Sequence, residues 1–103
     1  MFVARWQVKA KFGHQSDVLK LLREWDDAVG KQVGMPAKHR YLTGHVGNAE
    51  ALIVSEVELG SLGELDEMFA KLARVDIHAD WGRKMSEYVV SGSSSWEVLR
   101  LRD

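Results

Sequence analysis

The sequence predicts an α+β fold, with one antiparallel sheet of four strands covered by helices on one face. Three observations lead to this prediction. Phe2 to Phe12 alternates between apolar and polar residues, as a half-buried strand does. Asp17 to Val33 repeats its apolar residues at steps of three and four, as the buried face of a helix does. Two more alternating runs flank the turn residues Gly47-Asn48, which indicates a hairpin.

Length, charge and composition exclude several classes of function. The 103 residues are the length of one domain, 1–103, and 46% of them are hydrophobic. A net charge of −1 gives no reason to expect a nucleic-acid partner. Cysteine is absent, so no disulfide or thiolate metal site can form. No apolar run approaches the ~20 residues of a membrane-spanning helix. We therefore expect a soluble, cytoplasmic protein without a membrane partner.

The first half of the chain is expected to form a strand, a helix and a strand. The helix of residues 17–33 should end at Gly34, because Pro36 cannot continue it. A linker over residues 35–40 follows. Tyr41 to Val46 then alternates as a second strand.

The second half is expected to repeat this arrangement. Ala51 to Leu59 alternates as a third strand, and Ser61 with Glu64 fits a capping box that begins a helix. The helical pattern resets near Asp76, so two helical pieces are expected. The run WEVLRLR, Trp96 to Arg102, predicts the fourth strand.

The resulting order, β-α-β-β-α-β, is that of a ferredoxin-like fold. Right-handed crossovers place strands one and three in the centre of the sheet, in the order 4-1-3-2. Arg5 and Lys9 would then lie opposite Glu56 and Glu58, on the face away from the helices.

That second face of the sheet has two possible roles. It is either solvated, as antiparallel sheets allow, or covered by a second copy that closes a shared barrel. Large apolar residues on both faces of strands three and four favour the homodimer. The polar residues expected on this face are Arg5, Gln7, Lys9, Tyr41, Thr43, His45, Glu56 and Glu58.

Three stretches carry a resemblance to a known superfamily. They are FVARWQVKAKFG, DVLKLLREWDDAVGKQVG and FAKLARVDIHADWGRKMSEYVVSGSSSWEVLRL. Their layout resembles the dimeric α+β-barrel superfamily, which includes antibiotic-biosynthesis-monooxygenase-like and NIPSNAP domains. The resemblance implies a homodimer that binds a small aromatic or hydrophobic molecule between sheet and helices. Some members are cofactor-independent monooxygenases, others are isomerases or haem-degrading enzymes, and many have no known activity.

The first candidate site lies on the second helical segment. The resemblance to haem-degrading members implies that His78 could ligate haem iron and that Trp81 could press on the ring. Those members carry an asparagine on the first strand, where this chain has Arg5 or Gln7. The alternative is that Trp81 belongs to the core and His78 is exposed. No cofactor is predicted, and haem stays the alternative.

The second candidate site lies on the polar face of the sheet. It would combine His45, Tyr41, Arg5, Gln7 and Glu56. A histidine near a carboxylate can exchange protons near neutral pH, and an arginine can hold an anionic oxygen. The alternative is a dimer interface made of cross-strand ion pairs.

These sites support one leading function and one rival. The leading function is binding, with oxygenation or proton-transfer isomerisation if the protein is an enzyme. His45 or His78 would be the base, and Arg5 would orient the substrate. The rival is a non-catalytic binding or assembly domain. The histidine spacings match no metal site, and no serine lies on a nucleophile elbow that would indicate a Ser-His-Asp triad. The large aromatic side chains are expected in the core: Trp6, Trp25, Phe69, Trp81 and Trp96.

Overall fold

A four-stranded antiparallel sheet is the centre of the computed structural model, which describes residues 1–34, 39–47 and 49–102. The strands are β1 (Phe2–Lys9), β2 (His39–Thr43), β3 (Leu52–Leu59) and β4 (Ser95–Arg100). Their order across the sheet is β2-β3-β1-β4, which confirms the predicted arrangement. Residues 35–38 of the predicted linker, and Asn48 of the predicted turn, lie outside the described residues.

Three α-helices pack on one face of this sheet. They are α1 (Gln15–Trp25), α2 (Leu62–Leu72) and α3 (Asp76–Ser86). A π-helical turn, Asp26–Gly30, continues α1. The break between α2 and α3 lies where the sequence predicts it, and none of the helices within the described ranges is long and apolar enough to cross a membrane.

The pairing of β1 with β3 assigns the two faces of the sheet. Arg5 lies opposite Glu56, and Trp6 lies opposite Ser55. Because side chains alternate, Arg5 and Glu56 share the face away from the helices, which we call the open face, and Trp6 and Ser55 share the helix face. The predicted pairing of Arg5 with Glu56 is confirmed, whereas Lys9 lies opposite Leu52.

The predicted face of β2 is wrong. Tyr41 pairs with Ser55, so Tyr41 and Thr43 lie on the helix face. Leu42 takes the open face. This edge strand has apolar side chains on both faces, so alternation alone does not choose between them. The Tyr41 hydroxyl finds its partners on α1 and on the π-helical turn that follows it, as described below.

Two of the aromatic residues expected in the core, Phe69 and Trp96, are exposed, and so is Phe12 at the end of the predicted first strand. β1 ends at Lys9, and Phe12 is fully exposed because the chain turns at Gly13, whose φ is +80°. Trp96 is 46% exposed because β4 is an edge strand. Its ring instead contacts that of Phe69 on α2, with the centroids 5.2 Å apart.

The core consists of two clusters side by side on the helix face. The first joins β1 and β3 to α1 and α3, and its fully buried members include Val18 and Ile53. The second joins the same strands to α2, through residues such as Leu65 and Met68. On β1, Trp6 lies between Ala4 of one cluster and Val8 of the other. The Trp6 ring packs against the first cluster and borders a space between the helices and the sheet.

Candidate functional site

A cavity of about 420 Å³ opens between the sheet and the helices at this point. We call it the aromatic pocket. Trp6 and Ser55 form its floor on the sheet, and helix residues form its walls. Its full lining is Trp6, Leu22, Trp25, Tyr41, Ser55, Met68, Phe69, Leu72, Ala73, His78, Trp81 and Trp96. The volume and the mostly apolar lining are those of small-molecule sites.

Two indole groups of the lining use their N–H inside the protein. Trp81 Nε1 donates to the carbonyl oxygen of Leu21 at 2.7 Å, and Trp25 Nε1 donates to His78 Nδ1 at 2.9 Å. The His78 ring stacks on that of Trp81, with centroids 5.7 Å apart and planes 15° apart. Because these indole donors are satisfied, their rings present apolar surface to the cavity.

The bond from Trp25 fixes the form of His78. An indole N–H only donates, so His78 Nδ1 must accept, and the hydrogen of the neutral ring lies on Nε2. Burial also lowers the pKa of His78, which favours the neutral ring. His78 is therefore arranged as a hydrogen-bond donor and not as the predicted base.

The same bond argues against haem ligation by His78. A ligating histidine presents a bare nitrogen to the metal and donates its other N–H to a carboxylate, carbonyl or water. In this protein the second nitrogen accepts from Trp25 instead, which is the reverse arrangement. The residues around His78 do not fit a haem iron.

A polar network crosses the pocket wall beside β2. The Tyr41 hydroxyl lies 3.1 Å from the Leu22 carbonyl oxygen and also donates to Asp26 Oδ2. The other oxygen, Asp26 Oδ1, is buried and accepts no hydrogen bond from the described residues, but it lies 3.1 Å from His39 Nδ1, within ion-pair distance. His39 Nε2 lies 2.6 Å from the Ser55 hydroxyl. The Asp26 carboxylate thus contacts Tyr41 and His39, and His39 in turn contacts Ser55.

Burial and the Asp26 carboxylate shift the pKa of His39 in opposite directions and the pKa of Tyr41 in the same direction. Burial lowers the pKa of His39, and the Asp26 carboxylate opposes that shift without cancelling it. Burial and the bond to Asp26 both raise the pKa of the Tyr41 hydroxyl. At neutral pH, His39 is therefore a neutral base and Tyr41 a protonated donor.

The second predicted site is divided between the two faces of the sheet. Arg5 and Glu56 form an open-face ion pair, with 3.3 Å between Nε and Oε2, and Gln7 binds Glu97 beside them. Tyr41 lies on the helix face instead. His45 follows the end of β2 and is exposed, so it does not join them as predicted.

The structure brings the remaining predicted residues together. The aromatic pocket is lined by Tyr41 from the second predicted site and by His78 and Trp81, the two residues of the first predicted site. Among the described residues, no group of three or more histidines and acidic residues is arranged to hold a metal ion.

Sequence reasoning missed three residues of the polar network. His39 falls within the predicted linker, and Asp26 follows the last buried residue of α1. One signal for Ser55 was present, because it is a polar residue at a position whose neighbours on the same face, Ile53 and Val57, are apolar and buried. A polar group on a buried face usually has a partner.

Comparison with known proteins identifies the fold. No protein-family profile matches the chain, and no curated protein matches it in sequence. A NIPSNAP family protein from Agrobacterium tumefaciens superposes with a TM-score of 0.78 at 20% identity, over 99% of this chain and 86% of that one. An uncharacterised NIPSNAP domain protein from Burkholderia xenovorans gives 0.72 at 14% identity, over 99% and 95%.

An antibiotic biosynthesis monooxygenase is similar over the whole of both chains. Its TM-score is 0.70, its sequence identity is 14%, and the superposition covers 100% of each chain. The chain thus has the ferredoxin-like α+β fold of NIPSNAP and monooxygenase structures, as its resemblance to that superfamily predicts. At these identities the likeness defines the fold only.

Proposed function

We propose that this protein binds a small aromatic or hydrophobic molecule in the aromatic pocket. The observation that carries the proposal is the pocket itself, a cavity of about 420 Å³ between sheet and helices, lined by six tryptophan, tyrosine and phenylalanine side chains. Aromatic rings pack against one another edge to face or offset, which favours a flat, unsaturated ligand. His78 and Tyr41 supply polar groups that would orient it.

Calorimetric titration with a simple phenol such as 1-naphthol tests this proposal. Ala73→Trp would fill the pocket, because Ala73 lines it, and should abolish the binding heat. Ala70→Trp adds the same side chain to the same helix at an exposed position outside the lining, and it should bind as the parent does. Equal affinities in the two variants would contradict binding in the pocket.

For an enzymatic role, we propose oxygenation of an electron-rich aromatic without a cofactor. The phenol would supply the electrons, dioxygen would be the oxidant, and the products would be a quinone and one water. His39 would be the base, since its Nε2 lies 2.6 Å from the hydroxyl of Ser55, which lines the cavity. Oxygen uptake with 1-naphthol should be lost in Ala73→Trp and kept in Ala70→Trp. Binding without uptake would leave the rival, a non-catalytic binding domain.

We further propose that two copies pair through their open faces. This face combines exposed leucines with cations and anions in equal number: Arg5, Lys9 and Arg40 against Glu56, Glu58 and Glu97. A balanced surface of this kind can complement itself across a two-fold axis.

Sedimentation equilibrium tests the pairing. Leu99→Arg places a charge on the open face, where Leu99 is 48% exposed, and should shift the protein to monomers. Leu62→Arg is the control, because Leu62 is 52% exposed at the start of α2. Monomers in the parent protein, or no change in Leu99→Arg, would contradict the interface.

A further inference from the structure

We propose that Ser55, His39 and Asp26 form a nucleophile, a base and an orienting carboxylate that hydrolyse small aryl esters in the aromatic pocket. The inference rests on the proposed binding function, since the ester must enter that pocket. It assigns a reaction to residues that come from β3, β2 and the π-helical turn.

The order and spacing of the three groups are those of a serine–histidine–aspartate relay. Ser55 Oγ lies 2.6 Å from His39 Nε2, and His39 Nδ1 lies 3.1 Å from Asp26 Oδ1. Asp26 Oδ1 lies at ion-pair distance from Nδ1 but accepts no aligned hydrogen bond from any described residue. The negative charge beside Nδ1 favours the hydrogen on that nitrogen, which leaves Nε2 to accept the serine proton. Such relays are recognised by geometry and not by the order of residues in the chain.

The surroundings suit this use of the three groups. The His39 side chain is only 8% exposed, so bulk water does not compete for its nitrogens. The Tyr41 hydroxyl binds the second oxygen of Asp26 and holds the carboxylate towards His39. Tyr41 is therefore a positioning residue. Ser55 lines the cavity between Trp6 and Tyr41, its neighbours on β1 and β2.

The reaction follows in two balanced steps. Ser55 Oγ attacks the ester carbonyl carbon while His39 Nε2 takes the serine proton. The carbon–oxygen bond to the aryl group breaks, and His39 returns the proton to the leaving aryl oxygen, which gives a phenol and an acylated Ser55. Water then attacks the acyl group with His39 again as base, which releases a carboxylic acid and restores the serine.

Aryl esters are the substrate class that this pocket favours. Trp6, Trp25 and Trp81 offer aromatic surface to the departing phenol. A phenol is also a better leaving group than an alkyl alcohol, because its oxygen bears negative charge more readily. The phenol product belongs to the same class of ligand as in the proposed function.

The test uses p-nitrophenyl acetate with the unmodified protein. We expect release of p-nitrophenol and one acetyl group on the peptide that contains Ser55, found by mass spectrometry. Ser55→Ala removes the oxygen that is acylated and should abolish the adduct at residue 55, and His39→Gln should slow acylation by about 100-fold or more, the usual contribution of a general base. Asp26→Asn should lower the rate constant of acylation with little change in half-saturating ester concentration.

A matched control lies elsewhere in the chain. His14 lies 2.8 Å from Asp17, as a histidine–carboxylate pair outside the pocket. His14→Gln should therefore acylate at the parent rate. Ser55→Cys gives a second variant, and its sulfur should take the acetyl group. Acetylation of other residues only, or an unchanged rate in Ser55→Ala, would overturn the relay.

Calorimetry with p-nitrophenol separates this inference from the function on which it rests. Binding of p-nitrophenol without acetylation of Ser55 would overturn the relay and leave the binding function in place. Absence of both would overturn both. The adduct is mapped on the parent protein, so the result does not depend on any variant folding.

Discussion

The hydroxyl of Tyr41 is the most informative single group to remove. It lies 3.1 Å from the Leu22 carbonyl oxygen and donates to the Asp26 carboxylate, so Tyr41→Phe deletes one oxygen atom and leaves the ring in place. Among the described residues, the carboxylate would then keep its ion-pair contact with His39 but no hydrogen bond. The change therefore tests the network without altering the apolar packing around it.

The size of the effect follows from the charge of the acceptor. A hydrogen bond to a charged group contributes about 1.5–3 kcal/mol, and a buried acceptor left without a partner costs about 1–3 kcal/mol. Tyr41 is half-buried, so water would partly replace the bond. We expect Tyr41→Phe to lower the free energy of unfolding by about 1–3 kcal/mol. In a domain of this size, each 1 kcal/mol lowers Tm by about 4–8 °C.

Urea denaturation followed by circular dichroism measures this loss, and the chain supplies its own control. Tyr88 is the second tyrosine; its ring lies 5.3 Å from that of His14, and its hydroxyl makes no hydrogen bond to any residue in the described ranges. Tyr88→Phe should stay within about 0.5 kcal/mol of the parent. If the two variants have the same midpoint, the placement of Tyr41 on the helix face is refuted.

Three further predictions concern the core, the histidine and one backbone position. Ile53→Ala should lower the free energy of unfolding in urea by about 2–5 kcal/mol, because Ile53 is fully buried. If Ile53→Ala lost as little as Leu62→Ala, whose side chain is exposed, the placement of β3 would be contradicted. The pKa of His78 is lower in the folded protein than its unfolded value of about 6.5. The unfolded state therefore binds a proton more readily, and the free energy of unfolding that is present above pH 6.5 falls as the pH is lowered towards the folded pKa. His78→Gln should lose less stability than the parent between pH 7 and pH 5, and an equal loss would be inconsistent with burial of His78. Gly34→Ala should lower the free energy of unfolding by about 1–2 kcal/mol, because its φ of +72° disfavours alanine and no atom lies near the added methyl group. An unchanged melting temperature would mean that φ at this position is negative.

The fold could be predicted from the sequence because its central strand is strongly patterned. After Val3, β1 alternates apolar residues with polar or charged ones, and only one face of such a strand can be buried. The hairpin and the right-handed crossovers then leave a single strand order. The exact ends of the strands were less well predicted, since turn residues such as Gly13 shorten β1 without changing its pattern.

The pocket and its polar network could be predicted only in part. His78 and Trp81 lie on one helix, so their proximity follows from local spacing. Asp26, His39 and Ser55 meet only through the sheet register, which no local pattern encodes. The face of β2 could not be predicted for a similar reason, because it is set by its pairing with β3, where Tyr41 lies opposite Ser55.

The lining of the aromatic pocket has an optical consequence. The chain contains four tryptophans, and all of them line that one cavity. Trp81 lies with its ring centre 6.0 Å from that of Trp25 and 6.4 Å from that of Trp6, close enough for excitation to pass between rings. All tryptophan emission from the protein therefore originates at the proposed binding site. A molecule that enters the cavity would change the whole fluorescence signal, undiluted by emission from elsewhere in the chain.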